Sequence, residues 1–105
     1  MPKIVNEENF EEEVIKSDLP VIADFNATWC GPCRKLAPVV DEIEEMLAGR
    51  AKFVSIDADT NRDILIKYSV GGLPTLMVFK SGEPVERMTG LMPKSTIVAN
   101  IEKHL

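Results

Sequence analysis

The segment Trp29-Cys30-Gly31-Pro32-Cys33 holds the only two cysteines of the chain. Two thiols separated by two residues close a small disulfide ring if the backbone turns between them, and Gly31-Pro32 is a turn-forming pair. The segment that follows, Arg34 to Leu47, reads as a helix. The first thiol therefore stands at a helix N-terminus, where the dipole and the unpaired N–H groups favour a thiolate. That is the chemistry of thiol–disulfide exchange. Metal binding is the other use of such a pair, but a structural zinc site takes four ligands. Only the penultimate residue, His104, could add a strong soft ligand here, and it reads as a mobile surface residue. Neither a metal nor any other cofactor is expected.

The rest of the composition narrows the setting. The 105 residues are enough for one domain, 1–105, with a core that needs no disulfide staples. Apolar residues make up 45% and charged residues 28%, as in an ordinary globular protein. A net charge of −5 argues for solubility and against a nucleic-acid binder, and a monomer is expected. No apolar run approaches the ~20 residues that span a bilayer, so no membrane partner is expected. Met1-Pro2-Lys3 runs straight into Ile4-Val5 and an acidic stretch, without the apolar core of a secretory leader. The expected compartment is the reducing cytoplasm, where a CxxC pair is catalytic rather than a static brace.

The elements that must position the dithiol follow from periodicity. Asn6 is a candidate N-cap for a helix through about Lys16, with Phe10, Val14 and Ile15 on its apolar face. The acidic run from Glu7 to Glu13 reads as its solvated face. Val21 to Asn26 is a mostly apolar run, expected of a central strand covered on both faces. A helix over about 33–48 presents Leu36, Val39, Val40, Ile43, Met46 and Leu47 at helical spacing. Pro38 should kink it, and Gly49 is its natural stop.

Phe53 to Asp57 is the next strand. Thr60 with Asp63 resembles a capping box for a helix over about 61–68. Thr75 to Phe79 is a strand, Lys80-Ser81-Gly82-Glu83 a hairpin turn, and Pro84 to Thr89 a strand whose proline and charges suit a sheet edge. Pro93 fits the first position of a last helix through about Lys103. The order β-α-β-α-β-α-β-β-α predicts an α/β fold, a central mixed sheet with helices on both faces.

Asp24-Phe25, Ala27-Thr28-Trp29-Cys30-Gly31-Pro32-Cys33-Arg34, Gly72-Leu73-Pro74-Thr75 and Gly90 together resemble the thioredoxin family. The likeness covers the whole chain, including its length, its element order and both terminal helices. It implies the thioredoxin-like fold and a protein disulfide reductase that carries two electrons to varied protein disulfides. It also implies a thioredoxin reductase as electron donor. Two positions depart from the family pattern. Asn26 stands where an aromatic is usual, and Phe53 where a lysine usually lies close to the buried acid. The neighbouring Lys52 should face the other way by strand alternation.

Within this picture Cys30 is the nucleophile, at the exposed helix start, with Arg34 and Lys35 adding positive potential. Cys33, one turn inside and more buried, attacks the mixed disulfide and releases the reduced substrate. Gly31 and Pro32 set the turn between them, and the stiff Pro32 argues for a reductant. Asp24 read alone is a hydrogen-bonded core carboxyl. By resemblance it is a proton acceptor for Cys33, with its pKa raised by desolvation. Trp29 reads as an active-site rim residue.

The resemblance further implies a cis Leu73-Pro74 peptide facing the dithiol. Leu73 then offers its backbone to an extended substrate chain, and Gly72, Gly90 and Leu91 line the same groove. Two other readings compete. One is an isomerase or oxidant, disfavoured by Pro32. The other is a binding module or holdase of the same fold, in which the dithiol is incidental.

Overall fold

The computed structural model describes residues 1–105. The chain runs through β1 (Lys3–Ile4), α1 (Glu11–Ile15), β2 (Val21–Asn26), α2 (Gly31–Met46), β3 (Lys52–Asp57), α3 (Arg62–Lys67), β4 (Thr75–Lys80), β5 (Glu83–Thr89) and α4 (Lys94–Glu102). This is the expected order. The five strands form one sheet in the order β1-β3-β2-β4-β5. The pairings β1·β3 and β2·β3 are parallel, and β2·β4 and β4·β5 antiparallel. The fold is a mixed α/β sheet with helices on both faces.

Strand β2 lies at the centre, buried from Val21 to Phe25. Alternation sends Val21, Ala23 and Phe25 to one face, where they pack with Phe10, Val14, Ile64 and Phe79 beneath α1 and α3. Ile22 points to the other face, among Leu36, Val40, Ile43 and Phe53 beneath α2, with Ile97 and Ile101 of α4. Asp24 occupies the same face as Ile22 and is the one ionisable residue among these buried positions. A strand covered on both faces is mostly apolar, as the run from Val21 to Phe25 is apart from Asp24.

Several elements differ locally from expectation. Asn6 caps a turn rather than a long helix: its Oδ1 accepts the N–H groups of Glu8 and Asn9 at 2.9 and 3.2 Å. A short polar side chain competes with helix formation in this way. The helix then covers only Glu11–Ile15 and is wound wide, with Lys16 N–H donating to Glu11 O at 2.9 Å. Phe10 and Val14 are buried and Ile15 half-buried, as expected. In α2, Met46 is exposed, because about 100° of rotation per residue places it on the flank of the Leu36–Val40–Ile43–Leu47 stripe. Pro93 is the cap of α4, with extended backbone, rather than its first helical residue, and its carbonyl accepts from Thr96 and Ile97.

The Thr60–Asp63 capping box does not form. Thr60 Oγ1 donates to Asp57 Oδ2 at 3.3 Å, and the Asp63 N–H donates to Glu7 Oε2 at 2.7 Å. Glu7 N–H in turn donates to Oδ1 of the buried Asn61 at 3.0 Å, and Asn61 Nδ2 donates to Asp57 O at 2.9 Å. A carboxylate from far along the chain thus caps α3 and braces the Asp57–Asn61 loop. The acidic run is therefore not merely solvated, since Glu13 also binds Lys52 Nζ at 2.6 Å and Lys3 Nζ at 3.1 Å. These two ammonium groups hold the Glu13 carboxyl below its ordinary pKa.

At the other end of the sheet, Ser81 and Gly82 both adopt positive φ, 53° and 80°, which is the backbone of a two-residue hairpin. A Cβ on Gly82 would also lie 3.2 Å from Ile15 O, so the hairpin tip fits against α1 only as glycine.

The brace at α3 can be tested directly. Glu7→Ala removes the only side-chain cap of α3 and should lower stability by about 1 kcal/mol in denaturant unfolding. Glu8→Ala, whose carboxylate makes no bond, should stay within about 0.5 kcal/mol of wild type.

Candidate active site

The dithiol lies where β2 leaves the sheet and α2 begins. Ala27 closes the junction through Cys30 N–H donating to Ala27 O at 3.2 Å. Cys30 is the N-cap of α2, with extended backbone, and Pro32 sits in the first turn, where its missing N–H costs nothing. Cys30 and Cys33 are joined by a disulfide with their Cα atoms 5.3 Å apart, so the structure represents the oxidised protein. Cys33 N–H donates to Cys30 Sγ at 3.2 Å. This is the cap bond that would support a thiolate at that sulfur.

Total exposure does not distinguish the two cysteines. Cys30 is 6% and Cys33 7% exposed, so Cys30 is not the open thiol expected from its place at the helix start. Ala27 and Leu73 pack over both. Their surroundings differ instead. Cys30 faces an open cleft of about 520 Å³ that it shares with Trp29, Pro32, Leu65, Val70 and Leu73. Cys33 lines a separate pocket of about 260 Å³ on the other side, together with Asp24.

Trp29 is 67% exposed at the rim of the cleft, and its indole N–H donates to Asp59 Oδ2 at 2.9 Å. The loop carrying Asp59 is the one braced by Glu7 and Asn61. The Leu73-Pro74 peptide is cis. Leu73 makes no backbone hydrogen bond within the chain, so both its polar groups are free beside Cys30. Arg87 steadies the loop leading to it by donating to the carbonyls of Tyr68 and Ser69.

Gly72, Gly90 and Leu91 lie beyond the residues that line this cleft. Gly90 N–H donates to Pro74 O at 2.8 Å, Thr89 packs against Gly72, and Leu91 is half exposed. Sequence reasoning missed Leu65, Val70 and Asp59, because nothing local ties α3 and its flanking loops to Cys30. His104 is not mobile surface either. It is half-buried, with Nε2 2.9 Å from Glu86 Oε1. Arg34 folds back so that its guanidinium donates to Thr28 O at 2.7 Å, which places it on the Asp24 side of the junction.

Asp24 is 8% exposed, and its Oδ1 has no hydrogen-bond partner. Its cross-strand neighbours are Ser55 on β3 and Leu76 on β4. Phe53 pairs with Ile22, one pleat away on the same face. The residue directly across from the acid is Ser55, with Phe53 two residues away on the same face. Only the register says which of the two stands opposite Asp24. Lys52 does face the other way, to Glu13.

Asn26 donates through Nδ2 to Ser55 Oγ at 2.9 Å and to Asp24 O at 3.1 Å. Burial pushes the Asp24 carboxyl up to about 6; the Asn26 amide opposes this and the Asp41 carboxylate adds to it.

Comparison with known proteins now agrees with this geometry. The family model described as Thioredoxin matches residues 1–103. The chain belongs to the thioredoxin family. It is 46% identical over 101 residues to thioredoxin 1 of Nostoc sp., covering 96% of this chain and 94% of that one. It is 44% identical over 101 residues to the chloroplastic M-type thioredoxin of Chlamydomonas reinhardtii, covering 96% and 72%. A thioredoxin of Rickettsia bellii is 41% identical over 105 residues, the full length of both. With the Cys30–Cys33 pair in place, this thioredoxin-family chain is a protein-disulfide oxidoreductase that works by dithiol–disulfide exchange.

The raised Asp24 pKa has a stability consequence with a definite sign. The folded protein holds the proton more tightly than the unfolded chain, so Asp24 favours folding at low pH. That contribution is lost as pH rises from the unfolded value near 3.8 through the folded value of about 6. The difference corresponds to about 3 kcal/mol at most. Asp24→Asn should therefore stabilise the oxidised protein at pH 8 by up to about 3 kcal/mol and leave it nearly unchanged at pH 4. Guanidinium unfolding at the two pH values measures this.

Proposed function

We propose that Cys30 attacks the substrate disulfide, that Cys33 resolves the mixed disulfide, and that Asp24 takes the proton from Cys33. The observation that carries this assignment is the opposed setting of the two sulfurs. Cys30 faces the open cleft at the α2 N-terminus, and Cys33 shares an inner pocket with Asp24. The Cys30 thiolate forms a bond to one substrate sulfur, and the other leaves as a thiolate. Cys33 gives its proton to the Asp24 carboxylate and attacks Cys30 Sγ. The Cys30–substrate bond breaks with its electron pair on the substrate, and the Cys30–Cys33 disulfide remains.

An extended segment of the substrate pairs with the free backbone groups of Leu73, held by the cis Pro74. Trp29, Gly72, Gly90 and Leu91 form the surrounding contact surface. Gly31 and the stiff Pro32 limit the turn and favour the reductant over an isomerase. The partners are disulfide-bearing proteins and a thioredoxin reductase that restores the dithiol. The unit is a cytoplasmic monomer, with 1–105 as a single domain.

Cys30→Ser should abolish reduction of a disulfide-bearing protein such as insulin, whereas Cys33→Ser should accumulate a covalent mixed disulfide visible by mass spectrometry. Asp24→Asn should slow resolution by roughly tenfold or more at pH 7. Survival of a binding or holdase role in the Cys30→Ser, Cys33→Ser double variant would instead identify a binding module. The potential of the couple, followed by Trp29 fluorescence in a dithiothreitol buffer, should lie nearer about −270 mV, the reference for thioredoxin, than about −180 mV, that for disulfide isomerase.

A further inference from the structure

The pocket behind the dithiol has a composition that the exchange reaction alone does not explain. It is about 260 Å³ in volume, opens between the N-terminal segment and α2, and contains Asp24, Asn26, Cys33, Arg34, Asp41 and Ser55 among its lining residues. At its inner end lies the Asp24 carboxyl, whose Oδ1 is buried without a partner. A buried polar atom without a partner is rare unless a function or a water accounts for it. The pocket has room for several waters, at about 30 Å³ each in the liquid, and the polar groups to hold them.

Asn26 and Ser55 form one unit at its wall. Asn26 Nδ2 is committed to Ser55 Oγ at 2.9 Å and to Asp24 O at 3.1 Å, which leaves Asn26 Oδ1 and the Ser55 hydroxyl proton for water. Ser55 is also the direct cross-strand neighbour of Asp24.

We infer that this pocket is the port through which Asp24 exchanges its proton with solvent, and that Ser55 and Asn26 are the positioning residues that keep it hydrated. The inference rests on the role given to Asp24 above. After Cys33 transfers its proton to the carboxylate, that proton either returns to Cys33 when the disulfide is reduced again or exchanges with solvent, and the cleft at Cys30 is on the other side of the dithiol. A water at Ser55 can accept it from Asp24 and pass it outward.

The groups that face Asp24 and bear on its titration are Cys33, Arg34 and Asp41 on α2, together with the Met1 amine at the mouth. The Met1 amine is itself paired with Asp41 at 3.6 Å and Glu44 at 3.0 Å. Ser55 on β3 and Leu76 on β4 carry no charge. Hydration through the port therefore acts on a carboxyl that has no cation in direct contact, and removing the water should move its titration upward.

Ser55→Val tests this with a side chain suited to a strand, filling the port and deleting the hydroxyl, while Ser55→Thr keeps the hydroxyl. The Asp24 carboxyl is followed by carbon-13 NMR, and resolution of the mixed disulfide by rapid-mixing kinetics from pH 5 to 9. In Ser55→Val the Asp24 midpoint should rise by about half a pH unit or more, and resolution at pH 7 should slow about threefold or more. Ser55→Thr should restore both. In the Asp24→Asn background, Ser55→Val should cause no further slowing. Unchanged NMR and rate profiles in Ser55→Val, with Asp24→Asn still slow, would overturn the port alone. Wild-type resolution in Asp24→Asn would overturn the role of Asp24 itself.

Discussion

The constraint on which this structure depends is the double burial of β2. Its residues from Val21 to Phe25 are covered on both faces, so every side chain there except Asp24 belongs to one of two apolar layers. Full burial of each large aliphatic or aromatic side chain contributes about 1.5–3 kcal/mol, which makes this the least movable segment of the chain. The strand ends at Asn26, and after four intervening residues the chain starts a helix. A rigid strand feeding directly into a long helix fixes the position and direction of the α2 N-terminus, and therefore of Cys30. The dithiol is thus positioned by the core beneath it, while the cleft beside Cys30 is bordered largely by loop residues.

The same strand carries the one costly residue of the core. Asp24 loses hydration and receives no bond at Oδ1, so the protein accepts a less stable ionised state near neutral pH. An apolar residue at that place would pack without penalty. Under the proposed roles of Asp24 and Cys33, their sharing one pocket gives this cost a functional use. The nearby polar pair, Asn26 with Ser55, is consistent with that use, because it supplies neutral hydrogen-bonding groups and no countercharge.

The two sides of the disulfide have different linings although the two cysteine residues are buried to about the same extent. One side is an open, mostly apolar cleft bordered by Trp29, Leu65, Val70 and Leu73, suited to a polypeptide. The other is a smaller pocket, apolar over most of its wall, into which the Asp24, Asn26 and Ser55 side chains bring a few polar groups. The separation follows from topology. The cleft lies over the α3 and β4 loops, whereas the pocket lies between α2 and the parallel β1·β3 edge.

Much of this was legible in the chain itself. The dithiol, its helix, the buried strand with one acid, and the hairpin at the edge are all local patterns, because they are set by periodicity of two or 3.6 residues and by Gly and Pro conformations. Three things were decided only by tertiary packing. Register put Ser55 rather than Phe53 beside Asp24, since both share a face and alternation cannot choose between them. Long-range bonds put Glu7 on α3 and Asp59 under Trp29, at separations that no spacing rule covers. Side-chain packing by Ala27 and Leu73 equalised the burial of Cys30 and Cys33, leaving the contents of the two cavities to distinguish them. The sequence alone determined which chemistry is present, because reactive groups and turns are properties of neighbouring residues. The folded structure decided what each reactive atom faces, because that depends on residues brought together from distant parts of the chain.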